Sequence, residues 1–155
     1  MVKSYLTKNA KATQKLAQTL ARKILKQKKE KTLIIGLIGE LGSGKTTFCQ
    51  GFARALGVKE KILSPTFIIL KRFSIHNPSS KFINFYHLDC YRIGKPKEIL
   101  RLGFKNIISQ PRNIIVIEWA DRIRKILPRQ TIILQFDFID KNLRKITLNS
   151  QFMLK

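Results

Sequence analysis

The segment Gly39-Glu40-Leu41-Gly42-Ser43-Gly44-Lys45-Thr46 is the strongest structural signal in the sequence. It matches the phosphate-binding pattern G-x-x-x-x-G-K-[ST], which needs a strand before it and a helix after it. Both flanks are present. The short, β-branched apolar segment 32–38 predicts a buried strand of a parallel sheet, and Lys45–Leu56 predicts a helix that ends at Gly57. The sequence therefore predicts a phosphate-binding loop held between a strand and a helix.

The chemistry of this loop indicates a nucleoside triphosphate bound with Mg²⁺. Glycines let the backbone curl until several N–H groups point at phosphate oxygens, and the following helix adds the positive end of its dipole. In this pattern the lysine, here Lys45, reaches the β and γ phosphates, and the hydroxyl of Thr46 is a ligand for Mg²⁺.

Acidic residues are scarce, so the carboxylates that could complete the site come from a short set. The chain has nine: Glu30, Glu40, Glu60, Asp89, Glu98, Glu118, Asp121, Asp137 and Asp140. Glu118 follows the apolar run 114–117, and Asp89 follows the predicted strand 82–88. Because α/β sheets bind ligands beyond the carboxyl ends of their strands, these two acids are the candidates for the metal and the attacking water. The alternative is that each acid caps the next helix.

Two further features lie near these motifs. Ser64-Pro65-Thr66 precedes a predicted strand, and its threonine is either part of a loop that senses the γ-phosphate or a plain turn residue. Trp119 directly follows Glu118 and is by default a core or partly buried aromatic residue. His76 and His87 lack metal-ligand spacing, so no zinc site is expected.

The rest of the chain alternates helices and strands. Apolar residues four apart predict an amphipathic helix over 10–27, namely Ala12, Leu16, Leu20 and Ile24. Further strands are predicted at 67–73, 82–88, 114–117, 131–138 and 144–148, and further helices at 96–102 and 120–127. Turn residues at 76–80 and 140–142 predict two antiparallel hairpins. We expect one three-layer α/β domain on a mixed sheet, spanning residues 1–155.

Charge and cysteine content narrow the partners and the compartment. The chain carries 31 Lys and Arg against 9 Asp and Glu, a net charge of +22, which favours nucleotides, RNA or acidic proteins as partners. The chain has only two cysteines, Cys49 and Cys90, which are too far apart in sequence to suggest a disulfide framework. We therefore expect the protein to act in the cytoplasm, which is reducing. No apolar run approaches the roughly 18 residues of a membrane span, so no membrane partner is expected.

Four motifs occur in the order found in one known family. The loop motif G-[DE]-L-G-[AS]-G-K-T-T-F matches residues 39–48, S-P-T-[FY] matches 64–67, H-x-D-x-Y-R matches 87–92, and an E-W pair matches Glu118 and Trp119. With these motifs nearly the whole chain resembles the bacterial TsaE (YjeE) ATPases of tRNA threonylcarbamoyladenosine biosynthesis. The resemblance implies a P-loop NTPase fold, with ATP and Mg²⁺ as ligands.

The resemblance also implies a role for each matched residue. Lys45, Asp89, Glu118 and the switch residue Thr66 would be catalytic, and Thr46, Asp89 and Glu118 would hold Mg²⁺. The nucleotide would contact the loop, the first predicted helix and the aromatic residue beside the site, namely Glu40, Leu41, Gly42, Ser43, Gly44, Lys45, Thr46, Thr47, Thr13 and Trp119.

The function implied by the resemblance is ATP hydrolysis in support of threonylcarbamoyl transfer to adenosine 37 of tRNAs that read codons beginning with A. The transfer would occur on a TsaD and TsaB heterodimer, with tRNA as a further partner. Two alternatives stand beside it. One is a small-molecule P-loop kinase, and the other is a basic RNA-binding domain whose nucleotide acts only as a switch.

Overall fold

The structure is a computed structural model that describes residues 2–27, 31–63 and 69–149. The strands in these ranges are β1 (Val2–Thr7), β2 (Leu33–Gly39), β3 (Leu70–Ser74), β4 (Asn84–Asp89), β5 (Asn113–Glu118), β6 (Ile132–Asp140) and β7 (Leu143–Asn149). The helices are α1 (Ala10–Leu25), α2 (Lys45–Leu56), α3 (Pro96–Leu100), α4 (Phe104–Ser109) and a 3₁₀ helix (Ala120–Ile126).

The strands form one mixed sheet in the order β1-β7-β6-β2-β5-β4-β3. Its centre is parallel, because β2 pairs with β5 and β6, and β5 pairs with β4, all in the same direction. The β3–β4 and β6–β7 hairpins are antiparallel, and β1 pairs antiparallel with β7. The mixed sheet and both hairpins predicted from the sequence are confirmed.

Helices cover both faces of the sheet and make two separate hydrophobic cores. Leu37, Phe85 and Val116 face α1 and α2, where Phe48 and Phe52 complete the packing. The opposite faces of the same strands pack against α3, α4 and the 3₁₀ helix, through Ile34, Leu88, Ile115 and Ile117. This arrangement confirms the predicted three-layer α/β fold.

Helix α1 starts where the sequence offers a cap and lies close against α2. The Asn9 side chain accepts a hydrogen bond from the Ala12 N–H at 2.7 Å, which satisfies one of the donors left free in a first turn. The buried stripe of α1 is Thr13, Ala17, Leu20, Ala21 and Ile24. It is shifted from the predicted stripe, since Ala12 and Leu16 are only half-buried. The helix also ends at Leu25, two residues before the predicted end.

Several predicted elements need correction. The helix predicted over 120–127 is a 3₁₀ helix that ends at Ile126, and Leu127 is extended because Pro128 follows it. Helix α3 ends at Leu100 instead of residue 102. The strand predicted at 67–73 begins at Leu70 within the described residues, and residues 67 and 68 lie outside them. The strand predicted at 82–88 runs over Asn84–Asp89.

Strand β1 and helix α4 were not predicted at all. Strand β1 presents Val2 and Leu6 outward, so its apolar residues do not mark its buried face. Helix α4 has only six residues, too few for a helical period to show. In the described ranges, none of the helices has both the length and the apolar character that a bilayer crossing requires.

Candidate nucleotide site

The loop between β2 and α2 has the backbone that its glycines allow. Gly44 occupies the position just before α2 with φ +101°, a left-handed conformation that favours glycine. The first turn of α2 follows directly, and the N–H groups of Lys45, Thr46 and Thr47 precede the first hydrogen bond of the helix, which the Phe48 N–H donates to the Gly44 oxygen at 2.9 Å. These donors and the helix dipole make this end of α2 suitable for an anion.

The Lys45 side chain lies inside the loop and not in solvent. Its Nζ donates hydrogen bonds to the backbone oxygens of Gly39 at 2.6 Å and Glu40 at 2.9 Å. The same ammonium lies 4.2 Å from the centroid of the Trp119 ring. Burial lowers the pKa of Lys45, while the carboxylates of Glu118 and Asp89 oppose that shift. The Lys45 side chain is therefore folded back onto the carbonyl oxygens of its own loop.

The two acids chosen from the sequence lie side by side. Asp89 and Glu118 are register partners at the carboxyl ends of β4 and β5, and Leu37 on β2 pairs with Glu118. The Thr46 hydroxyl donates to Glu118 Oε1 at 2.7 Å. Asp89 is half-buried, and burial raises the pKa of its carboxyl group. A hydroxyl and two carboxylates at one edge of the sheet are the oxygen donors that Mg²⁺ prefers.

Glu118 has a second partner that the sequence reasoning did not assign to the site. His87 Nε2 lies 2.7 Å from Glu118 Oε2, and both side chains are almost fully buried. The signal available in the sequence was the position of His87 two residues before Asp89 on the same strand, which puts both on one face. Spacing typical of metal ligands was the wrong criterion for this histidine.

Aromatic and basic side chains border the loop on the side of β5. Trp119 has φ +57°, a left-handed backbone that is uncommon for a residue other than glycine. Its ring lies 5.0 Å from the ring of Tyr91, and the Arg122 guanidinium lies 5.4 Å from it. Trp119 is half-buried between the loop lysine and the core under α3, α4 and the 3₁₀ helix, as expected of a partly buried aromatic residue.

A cleft of about 320 Å³ opens on the other side of the loop. Thr13 lines it from α1, next to Gly42, Gly44 and Thr47 of the loop region. The Thr13 hydroxyl is hydrogen-bonded to that of Thr7 at 2.9 Å. Basic and amide side chains from β1–α1 and from the β6–β7 turn complete the lining, namely Lys8, Asn9, Lys141, Asn142 and Arg144. None of these residues was predicted from the sequence, and Lys141, Asn142 and Arg144 reach the loop only through the order of the strands in the sheet.

The remaining predicted residues differ in where they lie. Ser43 is buried in the loop, whereas Glu40 is exposed and Leu41 is 74% exposed at the loop tip. Glu40 lines a second cleft, of about 330 Å³, together with Trp119, Asp121 and Asp137. Thr66, predicted as a switch residue, lies outside the described residues.

Comparison with known proteins identifies the family. The family described as "Threonylcarbamoyl adenosine biosynthesis protein TsaE" matches residues 7–146. The tRNA threonylcarbamoyladenosine biosynthesis protein TsaE of Haemophilus influenzae is 31% identical over 137 residues, which cover 88% of this chain and 82% of that protein. The protein of the same name from Bacillus subtilis is 32% identical over 117 residues, covering 76% and 69% of the two chains.

A solved structure agrees with the sequence relatives. The crystal structure of Bacillus subtilis YdiB superposes with a TM-score of 0.67 at 27% identity, over 97% of this chain and 86% of that one. These similarities extend over both the loop and the strand-end acids, and they favour neither a small-molecule kinase nor an RNA-binding domain. The chain belongs to the TsaE family of threonylcarbamoyl adenosine biosynthesis proteins.

Proposed function

We propose that residues 1–155 form a single Mg²⁺-dependent ATPase domain that acts in the cytoplasm. Its hydrolysis of ATP would support threonylcarbamoyl transfer to adenosine 37 of tRNAs that read codons beginning with A. The observation that carries the proposal is the 2.7 Å contact between Thr46 Oγ1 and Glu118 Oε1. It joins the phosphate-binding loop to a strand-end carboxylate, and this is the pairing that Mg²⁺-dependent hydrolysis requires.

The side chains at this edge of the sheet fit Mg²⁺. Thr46, Glu118 and Asp89 would hold the ion, since they supply hydroxyl and carboxylate oxygens without nitrogen or sulfur. The Thr46 hydroxyl has two lone pairs, so it can act as a ligand and still donate to Glu118. Mg²⁺ bound there would offset negative charge on the phosphate oxygens.

The other roles belong to the chain's own groups. Backbone N–H groups of the loop would hold the phosphates, with contacts from Glu40, Leu41, Gly42, Ser43, Gly44, Lys45, Thr46 and Thr47. Lys45 would move its ammonium from the loop carbonyls to the γ-phosphate. Glu118 would orient the attacking water, because a carboxylate has about four acceptor positions and only two are used by Thr46 and His87. Thr13 and Trp119 would border the nucleotide, and Thr66 would act as the switch residue.

The partners we propose are the TsaD and TsaB heterodimer and the tRNA on which it acts. The sequence has a complete phosphate loop but no recognisable motif for a phosphate acceptor, so hydrolysis would serve another protein's reaction. The net charge of +22 supports an electrostatic attraction to tRNA.

Replacement of the loop lysine tests the ATPase. We expect Lys45→Ala to lower Mg²⁺-dependent phosphate release by at least about 100-fold, since the transition state loses a positioned cation. The control is Lys59→Ala, which changes an exposed lysine outside the site and should keep the parent rate. Phosphate release by Lys45→Ala at the parent rate would contradict the proposal, and so would recovery of the γ-phosphate on a small-molecule acceptor.

A further inference from the structure

His87 contacts the buried Glu118 carboxylate but has no role of its own in the proposed hydrolysis. The side chains are 3% and 2% exposed, and their Nε2 and Oε2 atoms are 2.7 Å apart. Within residues 2–27, 31–63 and 69–149 it is the only contact within 4.0 Å between a basic and an acidic side chain. The chain has 31 Lys and Arg but only two histidines. The basic side chain in contact with the Glu118 carboxylate is nevertheless a histidine.

The sheet geometry explains why the two side chains meet. His87 pairs with Val116 across β4 and β5, and Glu118 is two residues further along β5 on the same face. That face is the one covered by α2, because Val116 packs in the core under α1 and α2. Thr46 contacts Glu118 from α2, which covers this face of the sheet, and His87 contacts it from the neighbouring strand β4.

The two oxygens of Glu118 are thus divided between two donors. Oε1 accepts from Thr46 at 2.7 Å, and Oε2 lies 2.7 Å from His87 Nε2. The proposed Mg²⁺ site needs Glu118 as a carboxylate, which only accepts hydrogen bonds, so His87 Nε2 is the donor in that site. The terminal torsion of a glutamate is broad and roughly two-fold, so one donor alone would leave the orientation of the carboxylate loosely defined. Two donors on opposite oxygens define it.

We infer that His87 is a positioning residue that holds Glu118 with Oε1 toward Thr46. The inference rests on the proposed function, because it concerns how Glu118 faces the Mg²⁺ and the attacking water. Replacing a group that orients a metal-site carboxylate through such a hydrogen bond usually lowers metal affinity or activity about 10- to 100-fold. A competing occupant of this cluster is a soft metal ion, since Cys49 Sγ lies within 4.8 Å of the His87 and Glu118 ligand atoms.

A pair of substitutions separates the hydrogen bond from simple packing. His87→Leu removes the donor, and His87→Gln keeps an amide N–H near the position of Nε2. We expect His87→Leu to lower the rate of phosphate release about 10- to 100-fold and to raise the Mg²⁺ concentration needed for half-maximal rate. Nucleotide affinity measured in EDTA should stay within about threefold, because the loop is unchanged. His87→Gln should recover most of the loss, and His76→Gln is the control on an exposed histidine.

Nuclear magnetic resonance of the ¹⁵N-labelled protein provides a readout that does not depend on activity. The parent chain should show a hydrogen-bonded ring proton on His87 Nε2 that persists in His76→Gln and shifts strongly in Glu118→Gln. Should His87→Leu fail to fold, this spectrum decides the matter alone. Absence of that proton, a folded His87→Leu with the parent rate and Mg²⁺ dependence, or stoichiometric zinc in the purified protein would overturn the inference. Failure of the parent chain itself to hydrolyse ATP would instead overturn the proposed function.

Discussion

At the scale of single residues, Glu118 and Asp89 are register partners in different surroundings. Glu118 is buried with both oxygens bonded, whereas Asp89 is half-buried and accepts a hydrogen bond from the Tyr91 N–H at 2.9 Å. We expect Glu118→Gln to bind ATP with Mg²⁺ but to lose hydrolysis by at least about 100-fold. Asp89→Asn should weaken the Mg²⁺ dependence of nucleotide binding as well. Nucleotide titrations with and without Mg²⁺, together with assays of phosphate release, measure both effects. Hydrolysis by Glu118→Gln at the parent rate would mean that another group orients the attacking water.

Site residues could be predicted from the sequence where they belong to a contiguous motif or directly follow a predicted strand. Lys45, Thr46 and the loop glycines form a contiguous motif, and Glu118 and Asp89 each follow a strand that is visible as an apolar run. The contact between His87 and Glu118 depends on the register of β4 against β5, which no local pattern carries. The same holds for Lys141 and Arg144, which reach the loop only because β6 is the neighbour of β2.

At the scale of elements, the contact between α1 and α2 fixes where the loop lies relative to Thr13. A Cβ atom on Gly51 would lie 2.6 Å from the Gln14 backbone oxygen and 2.7 Å from its Cα. We therefore expect Gly51→Ala to lower the free energy of unfolding by about 1 to 3 kcal/mol, because the two backbones must move apart. Urea unfolding measures it.

The matched control for this change is Gly94→Ala. A Cβ atom there would meet only the exposed Glu98 carboxylate, at 3.2 Å, which accepts from the Gly94 and Lys95 N–H groups and needs to shift by a few tenths of an ångström, so the free energy of unfolding should change by no more than about 0.5 kcal/mol. Equal stability of Gly51→Ala and the parent would contradict the close approach of α1 and α2.

Helices and strands were predicted well where the residues that are buried in the structure are also the apolar residues of the sequence pattern. Strands β2 and β5 contain continuous apolar runs, at 33–38 and 114–117, and lie in the centre of the sheet, so their sequences leave little alternative. Strand β1 lies at the edge of the sheet with Tyr5 and Thr7 facing inward. Its inward face is therefore no more apolar than its outward face, and the strand was missed. The helix predicted over 120–127 is present as a 3₁₀ helix, a type that a short helical pattern in the sequence does not distinguish from an α-helix.

At the scale of the whole molecule, charge sets how the chain meets its partners. Among the described residues, no lysine or arginine side chain lies within 4.0 Å of a carboxylate of another described residue, and the one basic–acidic contact is the buried one of His87 with Glu118. The surface thus keeps most of its positive charge for polyanions. No arginine lies in the loop itself, Arg122 is engaged by the Tyr91 and Trp119 rings, and the Arg144 guanidinium lies over the Phe138 ring and donates to the Gly42 carbonyl oxygen at 3.3 Å. We therefore expect slow hydrolysis until a partner supplies or orders a further cation.

The most direct test of the account is steady-state phosphate release by this chain, with and without the TsaD and TsaB heterodimer and tRNA, alongside an assay for the modified adenosine. A cation supplied by a partner can be worth about 10³-fold or more, so we expect slow release alone and stimulation of at least about tenfold by the heterodimer. Repeated rounds of tRNA modification should require this chain and be lost with Lys45→Ala. Fast release that is indifferent to the heterodimer, or modification that continues at the same rate over many turnovers without this chain, would contradict the account.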